Sequence, residues 1–404
     1  MTDSNKTKLD IAKIGMLLAF AFLFIVTHLV RKQLFYGITE RNWVWELNFV
    51  AVIGTCLMLL EQVKRDKNTW KLVAFPMIGF VFVIITQLHY PISWGGILVV
   101  FCCNFFPVYL LLLDTEKLEL DSLVRKFIFI LEIVMILIAI AGVIDKVFDR
   151  AHIKLLEQIF TCEGPLLNEY ATSPNSESKR LYCIYEHPLT TGFMVNMIYA
   201  IGIFENKKKR VLLPDYALFA LTAILQICCG GKMGIMVFSV MTVLFFLKDW
   251  KFWIGAVVLG AIAYFSGIMD NVIYRFTKIQ LTTGRATALK VLRDQFPDYR
   301  PMLLYGYGEK LGEMRRTTFV GWEWVDNLTS ELPFINFSMN YGLLCGIAML
   351  LVPTVLVLIR AIKKKKWLQF FVWLLVFAEV NTYNGFNSTL DIVAIFYFLS
   401  MLLV

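Results

Sequence analysis

Charge is scarce in this chain. Asp, Glu, Lys and Arg together make up 17% of its 404 residues, against about 25% in an average soluble domain. Apolar residues reach 58%, aromatic ones 15%, and the mean hydropathy is +0.66. These proportions exclude a water-soluble globule and point to an all-α polytopic membrane protein. Other absences narrow the reading. No low-complexity linker divides the sequence and no repeat relates its halves, so residues 1–404 read as a single transmembrane domain. The first apolar run is as long as a full span and lacks a small-residue cleavage site, so a retained span is expected there rather than a signal peptide. Cysteine is nearly confined to apolar runs, where Cys56, Cys102, Cys103, Cys228, Cys229 and Cys345 read as small packing residues. Only Cys162 and Cys183 lie outside them, in one loop where a disulfide and two free thiols are both open.

A helix needs roughly 20 apolar residues to cross the hydrocarbon core. Runs of that kind fall near 9–30, 46–63, 72–88, 95–113, 127–144, 189–204, 215–229, 233–247, 253–269, 339–360, 367–383 and 389–404, about twelve transmembrane helices. With the N-terminus cytoplasmic, that side receives Lys64, Arg65, Lys117, Arg125, Lys248, Lys251 and the basic runs Lys207–Arg210 and Lys363–Lys366. This is the positive-inside pattern, and it is expected to place both termini of an integral plasma-membrane protein in the cytoplasm. The basic runs serve topology and lipid headgroups, so the net charge of +8 is not a nucleic-acid signal. Tryptophans such as Trp43, Trp94, Trp250 and Trp367 sit near span ends, as an aromatic belt requires.

Two long loops fall on the extracytoplasmic side, 145–188 and 270–333. The first opens with a helical pattern over 145–160 and continues into a polar, turn-rich stretch from Asn168 to Arg180. The second is the most polar ordered-looking segment of the chain. Within it Ala288, Leu289, Leu292 and Phe296 share a helix face and Thr282 or Thr283 can cap its start, which predicts an amphipathic helix lying at the interface.

Four groups on that side carry possible chemistry. Lys179 and Arg180 are followed by Glu186-His187-Pro188 at the mouth of a span. Gly230-Gly231-Lys232-Met233-Gly234 forms a tight turn between two spans. Gly284-Arg285 precedes Gly306-Tyr307-Gly308, and Asp326-Asn327 stands upstream of a further span. An arginine fork suits bidentate binding of phosphate oxygens, and glycines let backbone amides approach an anion. His187, Glu186 or Asp326 can accept a proton from a hydroxyl nucleophile. Each group alone has an ordinary use as a snorkelling cation, a cap or a turn. Lys232 stands apart, because so short a turn holds its charge close to membrane depth. Glu132, Asn196, Glu379, Asn381 and Asp391 are polar positions in or near spans, expected mostly to bridge helices, with Glu379 and Asp391 the better candidates for lining a cavity.

The order of these pieces, RLYCIYEHPLTTGF, CGGKMGIMV, TTGRATALKVLRDQF with YGYG, and DNLTSELPFINFSMNYGLLCG, resembles the O-antigen polymerase and O-antigen ligase superfamily over about residues 179–346. The turn departs from the family pattern, with Gly231-Lys232 where a serine and an arginine are usual; lysine keeps the charge but loses the fork. The ligase branch typically has a histidine before the asparagine of the last group. Asp326 stands there instead, which favours the polymerase branch. The resemblance implies a metal-independent glycosyltransferase, without cofactor, that joins undecaprenyl-diphosphate-linked oligosaccharide units into surface polysaccharide of O-antigen or capsule type. Arg180, Lys232 and Arg285, with Asn327, would bind the substrate; Glu186, His187 or Asp326 would activate the acceptor hydroxyl. It also implies chain-length regulator and flippase proteins as partners. A ligase acting on a lipid or envelope acceptor, and a transporter or flippase for the lipid-linked saccharide, are the alternatives. The absence of a repeat weighs against the transporter.

Overall fold

A computed structural model describes residues 3–38, 52–55, 67–90, 94–113, 115–116, 119–172, 180–267, 269–278, 300, 302–308, 318–320, 323–325, 332–383 and 390–404. The described chain is helical almost throughout. The exception is a hairpin of two three-residue strands, β1 (Thr318–Val320) and β2 (Glu323–Val325), paired antiparallel with Phe319 opposite Trp324.

The chain begins with α1 (Asp3–Phe20), which loosens into a π-helical turn at Ala21–Ile25. Beyond Val26 and Thr27, α2 (His28–Leu34) leaves at an angle of 82°. The straight span expected over 9–30 is therefore a bent pair. Thr27 takes an extended backbone (ψ 170°), which ends the helical hydrogen bonding of the first segment. Such a break strips carbonyls of their donors, at several kcal/mol for each group left unmatched among apolar neighbours. Arg31 answers them. Its Nη1 donates to the carbonyls of Phe22 (2.8 Å) and Val26 (2.7 Å), and its Nη2 donates to both carboxylate oxygens of Asp391 at 2.8 Å. The guanidinium is 1% exposed. Asp391, expected to line a cavity, is thus the counter-ion of a helix break.

Next come α3 (Lys67–His89) and α4 (Trp94–Val100), the latter continuing through a π turn (Phe101–Phe105) into a 3-10 stretch (Phe106–Leu112). Helix α5 (Asp121–Val147) is unbroken and about 40 Å long at 1.5 Å per residue. The predicted helix over 145–160 forms in two pieces: the end of α5, then α6 (Ala151–Ile159), separated by left-handed Asp149 and Arg150 (φ 43° and 65°). Part of the stretch read as turn-rich is helical, in α7 (Gly164–Thr172).

The central post is α8 (Pro188–Lys208), buried without interruption from Thr190 to Ile203. A helix apolar on every face belongs inside a bundle, and α8 packs against α5, α9 (Asp215–Cys229), α10 (Lys232–Phe246), α15 (Trp367–Val380) and α16 (Leu390–Leu403). Between these run α11 (Trp250–Phe265), α12 (Asp270–Lys278), α13 (Pro333–Tyr341) and α14 (Leu343–Lys364). The outer helices turn large apolar side chains outward, among them Leu137 and Val257, 60% and 70% exposed. So broad an apolar exterior marks a membrane protein. Among the described residues, Trp94–Leu112, Asp121–Val147 and Leu343–Lys364 are each long and apolar enough to cross a membrane, and the bent α1–α2 pair passes the same test when its two helices are taken together. The remaining expected spans coincide with shorter or less apolar helices, except 46–63, of which only residues 52–55 are described.

Asp391→Ala or Arg31→Ala is expected to lower stability by about 3–5 kcal/mol, because each strands a buried charge. The apolar pair Arg31→Met with Asp391→Leu, which removes both charges, should recover the part due to the stranded charge. Thermal unfolding midpoints of the purified full chain in detergent measure both effects.

Candidate functional site

Helix α9 ends at a glycine pair. Gly230 takes the left-handed conformation (φ 61°) that closes α9, and Gly231 is the N-cap of α10. Two carbonyls at the end of α9 accept from the incoming loop: Leu181 N donates to Cys228 O (2.9 Å) and Arg180 Nε to Cys229 O (2.8 Å). A Cβ on Gly230 would stand 3.7 Å from Arg180 Cγ and 3.9 Å from Arg275 Cδ, so both side chains pass beside this residue. A Cβ on Gly231 would meet Leu189 at 3.0 Å. Lys232 follows as the first residue of α10. Arg180, Arg275 and Lys232 are 5%, 4% and 8% exposed. Three buried cations therefore bracket one glycine turn at a helix N-terminus, where the helix dipole adds positive potential.

Beneath the turn lies a buried polar chain. Gln226 Nε2 donates to Gly192 O (2.7 Å) and Asn196 Oδ1 (2.8 Å). Asn196 Nδ2 donates to Gly234 O (3.0 Å) and Glu379 Oε2 (2.7 Å). Gly234 is required here, since a Cβ would come within 2.7 Å of Gln226 Oε1 and 2.9 Å of Glu379 Oε1. Asn196 bridges helices as expected, whereas Glu132 ties α5 to the turn between α8 and α9, accepting from Leu213 N at 2.8 Å. Asn381 instead donates to Phe377 O of the helix it terminates (2.8 Å). On its other side Arg180 borders a cleft of about 390 Å³, whose walls include Asp145, Lys146, Asp149, Arg150 and Gly267.

The entry to α8 holds a second cluster. His187 is the N-cap of α8, its ring Nδ1 accepting from Leu189 N at 3.2 Å. In accepting, Nδ1 commits the ring's basic lone pair to capping the helix. Glu186 sits in the left-handed region (φ 63°), and its Oε1 lies 2.6 Å from His28 Nδ1. His28 opens α2, just past the break. Thr27 Oγ1 donates to Ile184 O (2.9 Å) and Tyr185 OH to Phe24 O (3.4 Å), fastening the bent first pair to this loop.

The structure thus brings Arg180 and Lys232 together, places Glu186 and His187 on the same loop as Arg180, and adds Arg275 and His28. Lys179, Arg285, Asp326, Asn327 and the amphipathic segment around Arg285 lie outside the described residues. Gly306-Tyr307-Gly308 has a structural use in place of anion binding. Gly306 N donates to Thr86 Oγ1 (3.1 Å), and Tyr307 N and Gly308 N donate to Met339 O (2.9 Å) and Asn340 O (3.0 Å). Compared with protein-family models, with curated proteins and with solved structures, the chain matches none.

Sequence reasoning missed His28 and Arg31, although ionisable residues within an apolar run are themselves a functional signal. Arg275 was hidden by its place in a loop already credited to Arg285. Cys162 and Cys183 are free thiols here, Cys183 buried with its Sγ 3.2 Å from Thr191 Oγ1.

Gly306→Ala would drive a Cβ to 2.3–2.4 Å from the backbone of residues 339–341. A loss of about 2–3 kcal/mol is expected from such overpacking, measurable as a lower unfolding midpoint. Burial raises both thiols, Cys183 to about 11, but Cys183 is buried and Cys162 only partly so, and a maleimide should therefore label Cys162 well before Cys183 in the native protein. Equal labelling rates, read by peptide mass spectrometry, would contradict this packing.

Proposed function

We propose that this protein is a membrane glycosyltransferase that polymerises undecaprenyl-diphosphate-linked oligosaccharide units into surface polysaccharide at the extracytoplasmic face of the plasma membrane. The observation that carries the reading is the gathering of Arg180, Arg275 and Lys232 around the Gly230-Gly231 turn, beside a cleft that Arg180 borders. The proposal includes about twelve spans with both termini cytoplasmic, supported by the basic loops on one side.

In the reaction, the acceptor sugar's hydroxyl oxygen forms a bond to the anomeric carbon of the donor. The bond from that carbon to the diphosphate oxygen breaks, and the lipid diphosphate leaves with the electron pair. Negative charge grows on the leaving diphosphate as the bond lengthens. Fixed guanidinium and ammonium groups, held in place before the reaction, stabilise that charge more in the transition state than in the ground state. Arg285 and Asn327 join this set in the proposal. The hydroxyl proton goes to a base. His187 is poorly placed for that role because its Nδ1 caps α8. His28, whose Nδ1 lies 2.6 Å from Glu186 Oε1 at the mouth of α8, is the imidazole that the fold adds to this set of candidate bases. Glu186 and Asp326 remain the alternatives drawn from the sequence.

The test is a deletion strain carrying Arg180→Ala, Lys232→Ala or Arg285→Ala at wild-type membrane levels. Loss of a diphosphate contact is expected to slow transfer by about 10²–10³-fold, leaving single repeat units where long polysaccharide stood. Full-length polymer in the Arg180→Ala strain would overturn that residue's assignment. Polymer stranded on the carrier lipid would indicate a ligase, and lipid-linked units accumulating on the cytoplasmic side a flippase.

A further inference from the structure

A second polar pocket lies at the other end of α8, away from His187. The helix has 21 residues, so the two ends are about 31 Å apart at 1.5 Å per residue. The pocket has a volume of about 790 Å³ and opens between the α8–α9 turn and the α10–α11 turn. Four cations line it: Lys207, Arg210, Lys248 and Lys251. Its two carboxylates are already hydrogen-bonded within the protein. Asp215 Oδ1 accepts from Asn206 Nδ2 at 2.8 Å. Asp249 accepts from the Tyr216 hydroxyl and, at 3.1 Å, from Phe252 N as the cap of α11. The hydrogen bond from Tyr216 holds the Asp249 carboxyl below its ordinary value, so it stays an acceptor.

Apart from Asn206 and Pro214, the remaining wall is aromatic: Tyr216, Phe245, Phe246 and Trp250. Lys207 Nζ stands 5.3 Å above the Phe204 ring and 5.9 Å above that of Phe245, a cation–π arrangement that keeps the ammonium at the pocket. From the pocket an apolar stripe runs down α11. Trp250, Ile254, Val257 and Val258 are all exposed and follow the spacing of one helix face. A pocket with cations at its rim, rings in its wall and a greasy track leading away fits a molecule with an anionic head and apolar tails.

We propose that this pocket binds the headgroup of an anionic phospholipid, with its acyl chains along the exposed face of α11. The inference does not rest on the polymerase reading, since it concerns the opposite end of the bundle. Each basic residue near a membrane surface contributes about 1 kcal/mol toward an anionic lipid, so removing two is expected to weaken binding about 30-fold. The test uses the full chain in uncharged detergent, titrated with phosphatidylglycerol, phosphatidylcholine or inorganic phosphate while the unfolding midpoint is followed. A saturable rise with phosphatidylglycerol alone, displaced about 30-fold to higher lipid in Arg210→Gln with Lys248→Gln, supports the site. An equal rise with phosphatidylcholine would overturn it, and so would a rise of the same size with inorganic phosphate, which would make the site one for free anions. If the double variant does not accumulate, Lys251→Gln should show about 5-fold weaker binding, and wild-type affinity in that variant would also sink the proposal.

Discussion

A polar atom placed among apolar helices has no water to turn to, so its partner must come from the protein. That constraint organises this fold. It explains why the broken carbonyls after α1 are met by Arg31, and why Arg31 in turn is met by Asp391 from the last helix. It explains the chain from Gln226 through Asn196 to Glu379, which joins α8, α9, α10 and α15 where apolar contact alone would leave their rotation undefined. The same logic pairs the Trp373 ring nitrogen with Ser400 Oγ at 2.8 Å across α15 and α16. Apolar packing brings these helices together; the few polar contacts select one register.

The glycines serve that selection. At Gly230 a left-handed turn and the passage of two arginine side chains coincide, so the position needs both conformational freedom and the absence of a side chain. At Gly306 the requirement is proximity alone, because the backbone of 302–308 lies directly against that of 339–344. Glycines that looked equivalent in the sequence therefore do different things. One pair shapes a cationic turn, and the other allows two backbone segments to touch.

Much of the fold was legible in the sequence because long apolar runs admit few structures, and every run wholly described here is mainly helical, those over 9–30 and 339–360 with a break at 26–27 and at Gly342. The bend at residues 26–27 was not, since Val26 and Thr27 carry no glycine or proline to announce it and the interaction that supports it lies 360 residues away. Of the site, Arg180, Glu186, His187 and Lys232 were readable as polar groups near span ends. Their partners were not. His28 reaches Glu186 across 158 residues, and Arg275 reaches the glycine turn from α12; both are consequences of packing that no local spacing encodes. The use of the Gly306 and Gly308 amides was misread for the same reason, because their acceptors come from Thr86 and Asn340.

The pairing of Arg31 with Asp391 has a consequence for how the chain is made. A ribosome adds about 5–20 residues per second, so the guanidinium exists for on the order of tens of seconds before its carboxylate is synthesised 360 residues later. During that interval the first bent pair cannot settle into its final arrangement without stranding a charge in lipid. It has to wait near the interface, or in the shelter of the insertion machinery, until α16 arrives. A segment made late thus completes one made 360 residues earlier, and only then does the bent pair reach its final form.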